Sequence, residues 1–250
     1  MPRFFVPPTQ ISNETVNIKG DDAFHISRSL RMAAGEHITV CDMNGKEYDC
    51  VLETFSDSVT ARIASEKRCE TEPPFYAVVW QALPKGDKLD SIIQKSVECG
   101  ASEIRLFESK HCIVKSDQKS EAKKLDRRAR IAYEAAKQCG RGIIPKAFST
   151  VSFDNMLAEA ARADIPVFCY EGECTEKLGT ILKAKRSELC GKEKPTISIV
   201  IGPEGGFSRE EAERAKAMGL FLTGLGNRIL RTETVASFAL SALVYEFELG

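Results

Sequence analysis

The residues best suited to chemistry lie in two glycine-bearing loops near the end of the chain. The first, Gly202-Pro203-Glu204-Gly205-Gly206-Phe207, follows the apolar run Thr196–Ile201. The second, Leu225-Gly226-Asn227-Arg228-Ile229-Leu230-Arg231-Thr232-Glu233-Thr234, comes about twenty residues later. Each stands where a predicted buried strand gives way to a helix, the place where open α/β proteins put ligands. Glycine lets the main chain approach a ligand closely and adopt positive φ. Arg228 and Arg231 flank Ile229-Leu230, so this stretch offers cations and apolar cover in different directions.

Neither loop is a phosphate cradle. No Gly-Lys-Ser/Thr follows the first, and Gly224-x-Gly226-x-x-Ile229 lacks the third glycine of a dinucleotide fingerprint. Backbone N–H and C=O groups with one carboxylate suit a neutral heterocycle bearing hydroxyls and a cationic centre, such as an adenosyl group. The plainer alternative is a tight strand-to-helix connection beside two solvated arginines, and the residues alone leave both open.

Two basic features accompany the loops. In a helix predicted over Ser120–Gly140, Lys123, Arg127, Arg130 and Lys137, with Arg141 just beyond, recur at helical steps interrupted by Glu134. Such a stripe suits a phosphate backbone, with salt-dependent binding, unless it is simply a solvated face. Arg3, His25, Arg28 and Arg31 form a second candidate patch near the start. The chain has no Ser/His/Asp arrangement and no metal-ligand cluster, so no metal is expected.

Elements that would position these groups can be read from periodicity. A helix over Asp22–Met32 and strands over His37–Asp42, Glu47–Phe55 and Val59–Ala64, with a hairpin turn at Asn44-Gly45, predict a small β-barrel-like module. Thr71-Glu72-Pro73-Pro74 reads as a linker. Beyond it, strands over Phe75–Leu83, Ile104–Phe107, Pro166–Tyr170, Thr196–Ile201 and Phe221–Leu225 alternate with helices. Those helices are predicted over Leu89–Cys99, Ser120–Gly140, Phe153–Arg162 and Leu178–Leu189, then to Met218 from a Ser208/Glu211 capping box, then over Thr234–Glu248. This alternation predicts an α/β domain with a parallel sheet covered on both faces.

At 250 residues, 43% apolar and 28% charged, the composition is that of a soluble globular protein. A net charge of −1 means that any nucleic-acid binding must come from local patches. Nine scattered cysteines without a Cys-x-x-Cys pair, and only three histidines, speak against a disulfide scaffold or zinc site and for a reducing compartment. The start, MPRFFVPPTQ, has no leader-like pattern, and no segment has the apolar length of a membrane span. A cytoplasmic protein with no membrane partner is expected.

GPEGGFS at 202–208 followed by LGNRILRTET at 225–234 resembles the paired signature of the RsmE-type 16S rRNA (uridine-N3) methyltransferases, within the SPOUT class. Arg3-Phe4-Phe5-Val6, HISRSLR at 25–31, Gln94-Lys95 through Gly100 and Glu134 through Arg141 fall in matching order, so the resemblance covers the whole chain. It implies a PUA-like RNA-binding β-barrel domain at 1–72 and a methyltransferase domain with a trefoil knot at 73–250. It also implies S-adenosylmethionine as cofactor, and a homodimer whose active site draws on both subunits. The implied substrate is a uridine of 16S rRNA near the decoding region of the small ribosomal subunit, and not DNA. By motif match, Ile201, Gly202, Pro203, Glu204, Gly205 and Gly206 line the cofactor site with Leu225, Gly226, Ile229, Leu230, Arg231 and Thr234. Tyr170-Glu171 corresponds to a third cofactor-side loop. Arg231, Arg141, Glu204 and Glu233 are the expected catalytic residues. Arg3, His25, Arg28, Arg31, Lys95, Arg127, Arg130, Gln138, Arg141 and Arg228 are the expected RNA contacts. The chain departs from the family pattern at Lys137 and Cys139, where Glu and Ser are usual, and at Val235. The alternatives are another SPOUT enzyme acting on tRNA or a ribose 2′-hydroxyl, or a non-catalytic RNA-binding protein.

Overall fold

Alternating side chains shape the first of two compact units, which comprises Met1–Glu72 and Ala136–Ile144. The computed structural model describes residues 1–115, 118–173 and 175–250. Here β1 (Arg3–Phe5), β2 (Thr15–Ile18), α1 (Gly20–Phe24), β3 (His37–Cys41), β4 (Lys46–Phe55) and β5 (Val59–Arg68) follow in order. The sheet runs β1-β3-β4-β5-β2, with β1 parallel to β3 and the other pairs antiparallel. Phe4, Val16, Ile18, Ile26, Ile38, Val40 and Leu52 point into one core. Burying each such side chain contributes about 1.5–3 kcal/mol. The hairpin turn at Asn44-Gly45 is present, with Gly45 at φ 96°.

The expected single helix over Asp22–Met32 is corrected. After α1 the chain widens into a π-type turn, His25–Ser29, in which Leu30 N–H donates to the His25 carbonyl at 2.9 Å. Arg31, at φ 54°, then ends the segment. The wider turn accompanies full burial of Ile26, while Phe24, Arg28, Leu30 and Arg31 remain exposed.

The second unit comprises Pro73–Ala135 and Pro145–Gly250. Its elements are β6 (Tyr76–Ala82), α2 (Lys88–Glu98), β7 (Ala101–Glu108), α3 (Gln118–Cys139), β8 (Lys146–Ala147), β9 (Val151–Ser152), α4 (Phe153–Ala160), β10 (Ile165–Cys169), β11 (Glu176–Lys177), α5 (Leu178–Glu188), β12 (Thr196–Ile201), α6 (Arg209–Ala217), β13 (Phe221–Gly224) and α7 (Thr232–Val244). The last residues of α3 group with the first unit. The sheet order is β11-β13-β10-β12-β6-β7-β8, with β9 also beside β7, and its pairs are parallel. Continuous apolar runs fit such a sheet because both faces are covered; in β12 all residues but Thr196 are buried. The expected capping box opens α6: Ser208 Oγ accepts from Glu211 N–H, and the Glu211 carboxylate accepts from Ser208 N–H at 2.8 Å.

Since β13, β10 and β12 are adjacent and parallel, their C-terminal ends share one edge of the sheet. The segments that follow them, from Tyr170, Gly202 and Leu225, therefore leave the sheet side by side.

Candidate active site

Those three segments enclose a cavity of about 700 Å³. From the first loop, Gly202, Pro203, Glu204, Gly205 and Gly206 line it together with Ile201. From the second come Leu225, Gly226, Arg228, Ile229, Leu230, Arg231 and Glu233, and Tyr170-Glu171 supply a third wall. Thr234 is not among the lining residues: it sits exposed in the first turn of α7, its N–H donating to the Arg231 carbonyl at 2.8 Å.

The first loop is held from below. Gly206, at φ 64°, closes a turn in which its N–H donates to the Pro203 carbonyl at 2.9 Å. The Phe207 ring folds back under Gly202, 4.1 Å between centroids from Phe168 and stacked at 6.2 Å on Phe107. A Cβ on Gly202 would lie 3.2 Å from that ring, and one on Gly205 would lie 3.1 Å from His111. His111 Nδ1 donates to the Gly205 and Gly206 carbonyls at 3.1 and 3.2 Å. Both partners are acceptors, so the proton is on Nδ1.

Charge enters at the rim. Lys88, unassigned from the sequence, bridges two acids, with Nζ 2.9 Å from Glu204 Oε1 and 3.6 Å from Glu233 Oε2. Burial pushes the Glu204 carboxyl up, but the Lys88 hydrogen bond and the backbone N–H groups of Glu204 and Lys85 outweigh it and hold the group below the usual range. A carboxylate so held is a poor proton acceptor. Glu233 Oε2 is shielded from solvent and accepts no hydrogen bond among the described residues. Arg228 and Arg231 have no ion-pair partner among the described residues. Cys169 also lines the cavity; burial pushes its thiol up to about 12, so it stays protonated at neutral pH. No group of metal-binding side chains occurs among the described residues.

The remaining expected residues divide. Arg28, Arg31, Arg130 and Gln138 are exposed. Lys95 pairs with Glu98 at 3.2 Å, and Arg127 pairs with Asp90. His25 is half-buried, its ring edge-on to Phe4. Arg3 is turned inward, donating to Glu47 at 2.8 Å and to Cys41 Sγ at 2.9 Å.

Arg141 corrects the helical stripe. Gly140, at φ 80°, ends α3, and Arg141 turns inward with only 4% of its side chain exposed. Its Nη2 and Nε donate to the two Glu72 oxygens at 2.7 and 3.2 Å, and Glu72 Oε1 also accepts from the Gly142 and Ile143 N–H groups. Lys137 lies over the Phe4 ring at 4.4 Å. The exposed cations of the stripe are thus Lys123, Arg127 and Arg130.

Gln81 also escaped sequence reading. It is buried, and its Nε2 donates at 2.9 Å to Thr232 Oγ1, which donates in turn to the Gly202 carbonyl at 2.8 Å. The available signal was a lone amide near the end of the apolar run FYAVVWQAL.

Residues 71–244 match the family described as RNA methyltransferase domain. The chain belongs to the RNA methyltransferase family. Residues 18–64 of this methyltransferase match a second description, RNA methyltransferase PUA domain, so the first unit contains a PUA-like fold. The ribosomal RNA small subunit methyltransferase E of Bacillus subtilis is 36% identical, over all of this chain and 98% of that protein. Its namesake from Mycobacterium tuberculosis is 28% identical, over 96% of this chain and 90% of that one. A crystal structure of the Neisseria gonorrhoeae ribosomal RNA small subunit methyltransferase E bound to S-adenosyl methionine superposes with a TM-score of 0.82 at 30% identity, covering 98% of this chain and 97% of that one.

Proposed function

We propose that this methyltransferase transfers a methyl group from S-adenosylmethionine to N3 of a uridine in 16S rRNA of the small ribosomal subunit. The observation that carries the reading is the single cavity walled by both glycine loops. Its fit to the cofactor rests on the main chain that the two glycine loops present to it, with Ile229 and Leu230 offering apolar cover for a flat ring. The acids Glu204 and Glu233, only partly neutralised by Lys88, suit a ligand with positive charge. The names of the B. subtilis and N. gonorrhoeae relatives support small-subunit rRNA as substrate, and the second supports the cofactor.

The bound cofactor supplies an electrophilic methyl group on a sulfonium, so the protein's work is to orient the base and favour an anionic N3. Arg231 is assigned to the uracil oxygens, where a cation in a water-poor site stabilises the developing charge. Glu233, held less closely by Lys88 at 3.6 Å than Glu204 at 2.9 Å, is the acceptor for the N3 proton; Glu204 orients rather than accepts. Arg141 takes no part in this scheme, since its guanidinium is engaged by Glu72. N3 lies on the Watson–Crick edge, so the target uridine is unpaired, the state in which RNA bases are usually read.

The reading extends to the whole chain. Residues 1–72 are assigned as a PUA-like RNA-binding β-barrel domain that contacts RNA through Arg28 and Arg31, and 73–250 as the catalytic domain. A knotted thread is supported by the lodging of β13 between two earlier strands, β10 and β11. A homodimer is supported by Phe238 and Tyr245, seven residues apart and 41% and 68% exposed. An rRNA substrate assigns the protein to the cytoplasm; no helix among the described residues is long and apolar enough to cross a membrane. Mass spectrometry of rRNA nucleosides from cells lacking the gene tests the reaction. Loss of 3-methyluridine is expected, and loss of a ribose methyl instead would overturn the assignment.

A further inference from the structure

Gln81 is fully buried in β6, a strand that is otherwise almost wholly apolar. Its Nε2 faces three acceptors: Thr232 Oγ1 at 2.9 Å, the Ala82 carbonyl at 2.9 Å and the Gly202 carbonyl at 3.4 Å. Turning the amide over would set its oxygen against two carbonyl oxygens, so the orientation is fixed. The Thr232 hydroxyl must then accept from Gln81, and it sends its own proton to the Gly202 carbonyl at 2.8 Å. One hydrogen-bonded chain thus runs from β6 through the first residue of α7 to the first residue of the glycine loop. The remaining Gln81 oxygen is buried without a hydrogen bond among the described residues. That is an unfavourable arrangement that a leucine of similar size would avoid.

We propose that Gln81 and Thr232 are positioning residues that set the spacing between the two cavity loops, and with it the affinity for the adenosyl cofactor. This rests on the cofactor reading above. Each loop is anchored to its own strand, but nothing in the sheet pairing ties the Gly202 carbonyl to the start of α7; the Gln81–Thr232 chain does. Opening that link leaves the loops in place but lets their separation drift, which weakens a ligand touching both.

Calorimetric titration of the full-length protein with S-adenosylmethionine tests the idea in Thr232→Val, Thr232→Ser, Gln81→Leu and the double variant Gln81→Leu/Thr232→Val. Losing one buried link of this kind is expected to weaken binding roughly tenfold in Thr232→Val and in Gln81→Leu. Thr232→Ser keeps the hydroxyl and should bind within about twofold of the unmodified protein. Both single changes cut the same chain, so the double variant should be little worse than either. In turnover assays the KM for cofactor rises while kcat at saturation and affinity for RNA stay put, which a general loss of structure would not produce. Should Gln81→Leu fail to fold, the valine and serine pair at 232 carries the test alone. Wild-type binding in Thr232→Val, additive losses in the double variant, or a serine variant as weak as the valine one overturns the proposal. Absence of binding by the unmodified protein removes the cofactor reading and this role together, whereas unchanged binding in the variants removes this role only.

Discussion

Gly202→Ala tests how the cavity floor is built. The added Cβ would lie 3.2 Å from Cδ2 and Cε2 of Phe207 and 3.4 Å from the Gly206 carbonyl carbon. Such a contact is cheap only if the neighbour can retreat, and Phe207 cannot. Its ring is 4.1 Å between centroids from Phe168, 6.2 Å from Phe107 and 6.3 Å from Phe153, and the residue is 9% exposed. Overpacking a fixed site costs about 1–3 kcal/mol. For a domain of this size that lowers Tm by roughly 2–12 °C. The strain moves the loop that lines the cavity, so affinity for S-adenosylmethionine should fall with stability. Gly206→Ala is the control: it has φ 64° but nothing within 4 Å of its added Cβ, so it meets only backbone strain of about 1–2 kcal/mol. The assays are calorimetric titration and thermal unfolding of Gly202→Ala, Phe207→Leu and the double variant. The smaller side chain should restore part of what the alanine removes, because the two sites touch. A double variant whose losses simply add would refute the claim that Phe207 is what the alanine strikes.

Three further outcomes are expected. Arg141→Ala should destabilise the first unit by about 3 kcal/mol, the low end for breaking a buried ion pair, because Glu72 keeps two backbone donors; an unchanged Tm with lost turnover would instead return Arg141 to the chemistry. The Asp164 carboxyl is pushed up by burial but held down more strongly by Lys192 and by Thr196 N–H and Oγ1–H, to about 2 against 3.8 for the free group. A folded value below the unfolded one means stability present above pH ~4 and lost as pH falls through about 2, so Asp164→Asn should cost about 2 kcal/mol at neutral pH and only a small part of that at pH 2 in acid titrations followed by circular dichroism. Arg231→Ala should leave Tm unchanged and cut methyl transfer by roughly an order of magnitude or more; near-normal turnover removes Arg231 from the mechanism.

Legibility in the sequence followed the physics of each element. Thr196–Ile201 is readable to the residue because a strand covered on both faces is apolar throughout. The two-residue strands Lys146–Ala147, Val151–Ser152 and Glu176–Lys177 form by backbone pairing and leave no side-chain pattern to read. The helical spacing of the cation stripe does not hold at Arg141, because the left-handed backbone of Gly140 ends the helix before it. In the cavity, the glycines announce themselves through composition and turn chemistry. Lys88 and Gln81 do not, since they lie 116 and 121 residues from Glu204 and Gly202 along the chain. Only the placement of β6 beside β12 makes them neighbours, and strand order is not encoded in any local window.

The position of β13 also sets a timetable for assembly. Its two neighbours, β10 and β11, precede it in the chain, and β11 pairs in the sheet with β13 alone, so β13 completes that edge last. Pairings between distant segments form slowly, because chain entropy is spent before contacts compensate it. The floor and lid of the cavity are therefore completed only once residues 221–235 have left the ribosome and found their slot. A chain interrupted just before residue 221 would keep β6, β7, β10 and β12 and lack a binding chamber, so that such an unfinished copy is inert.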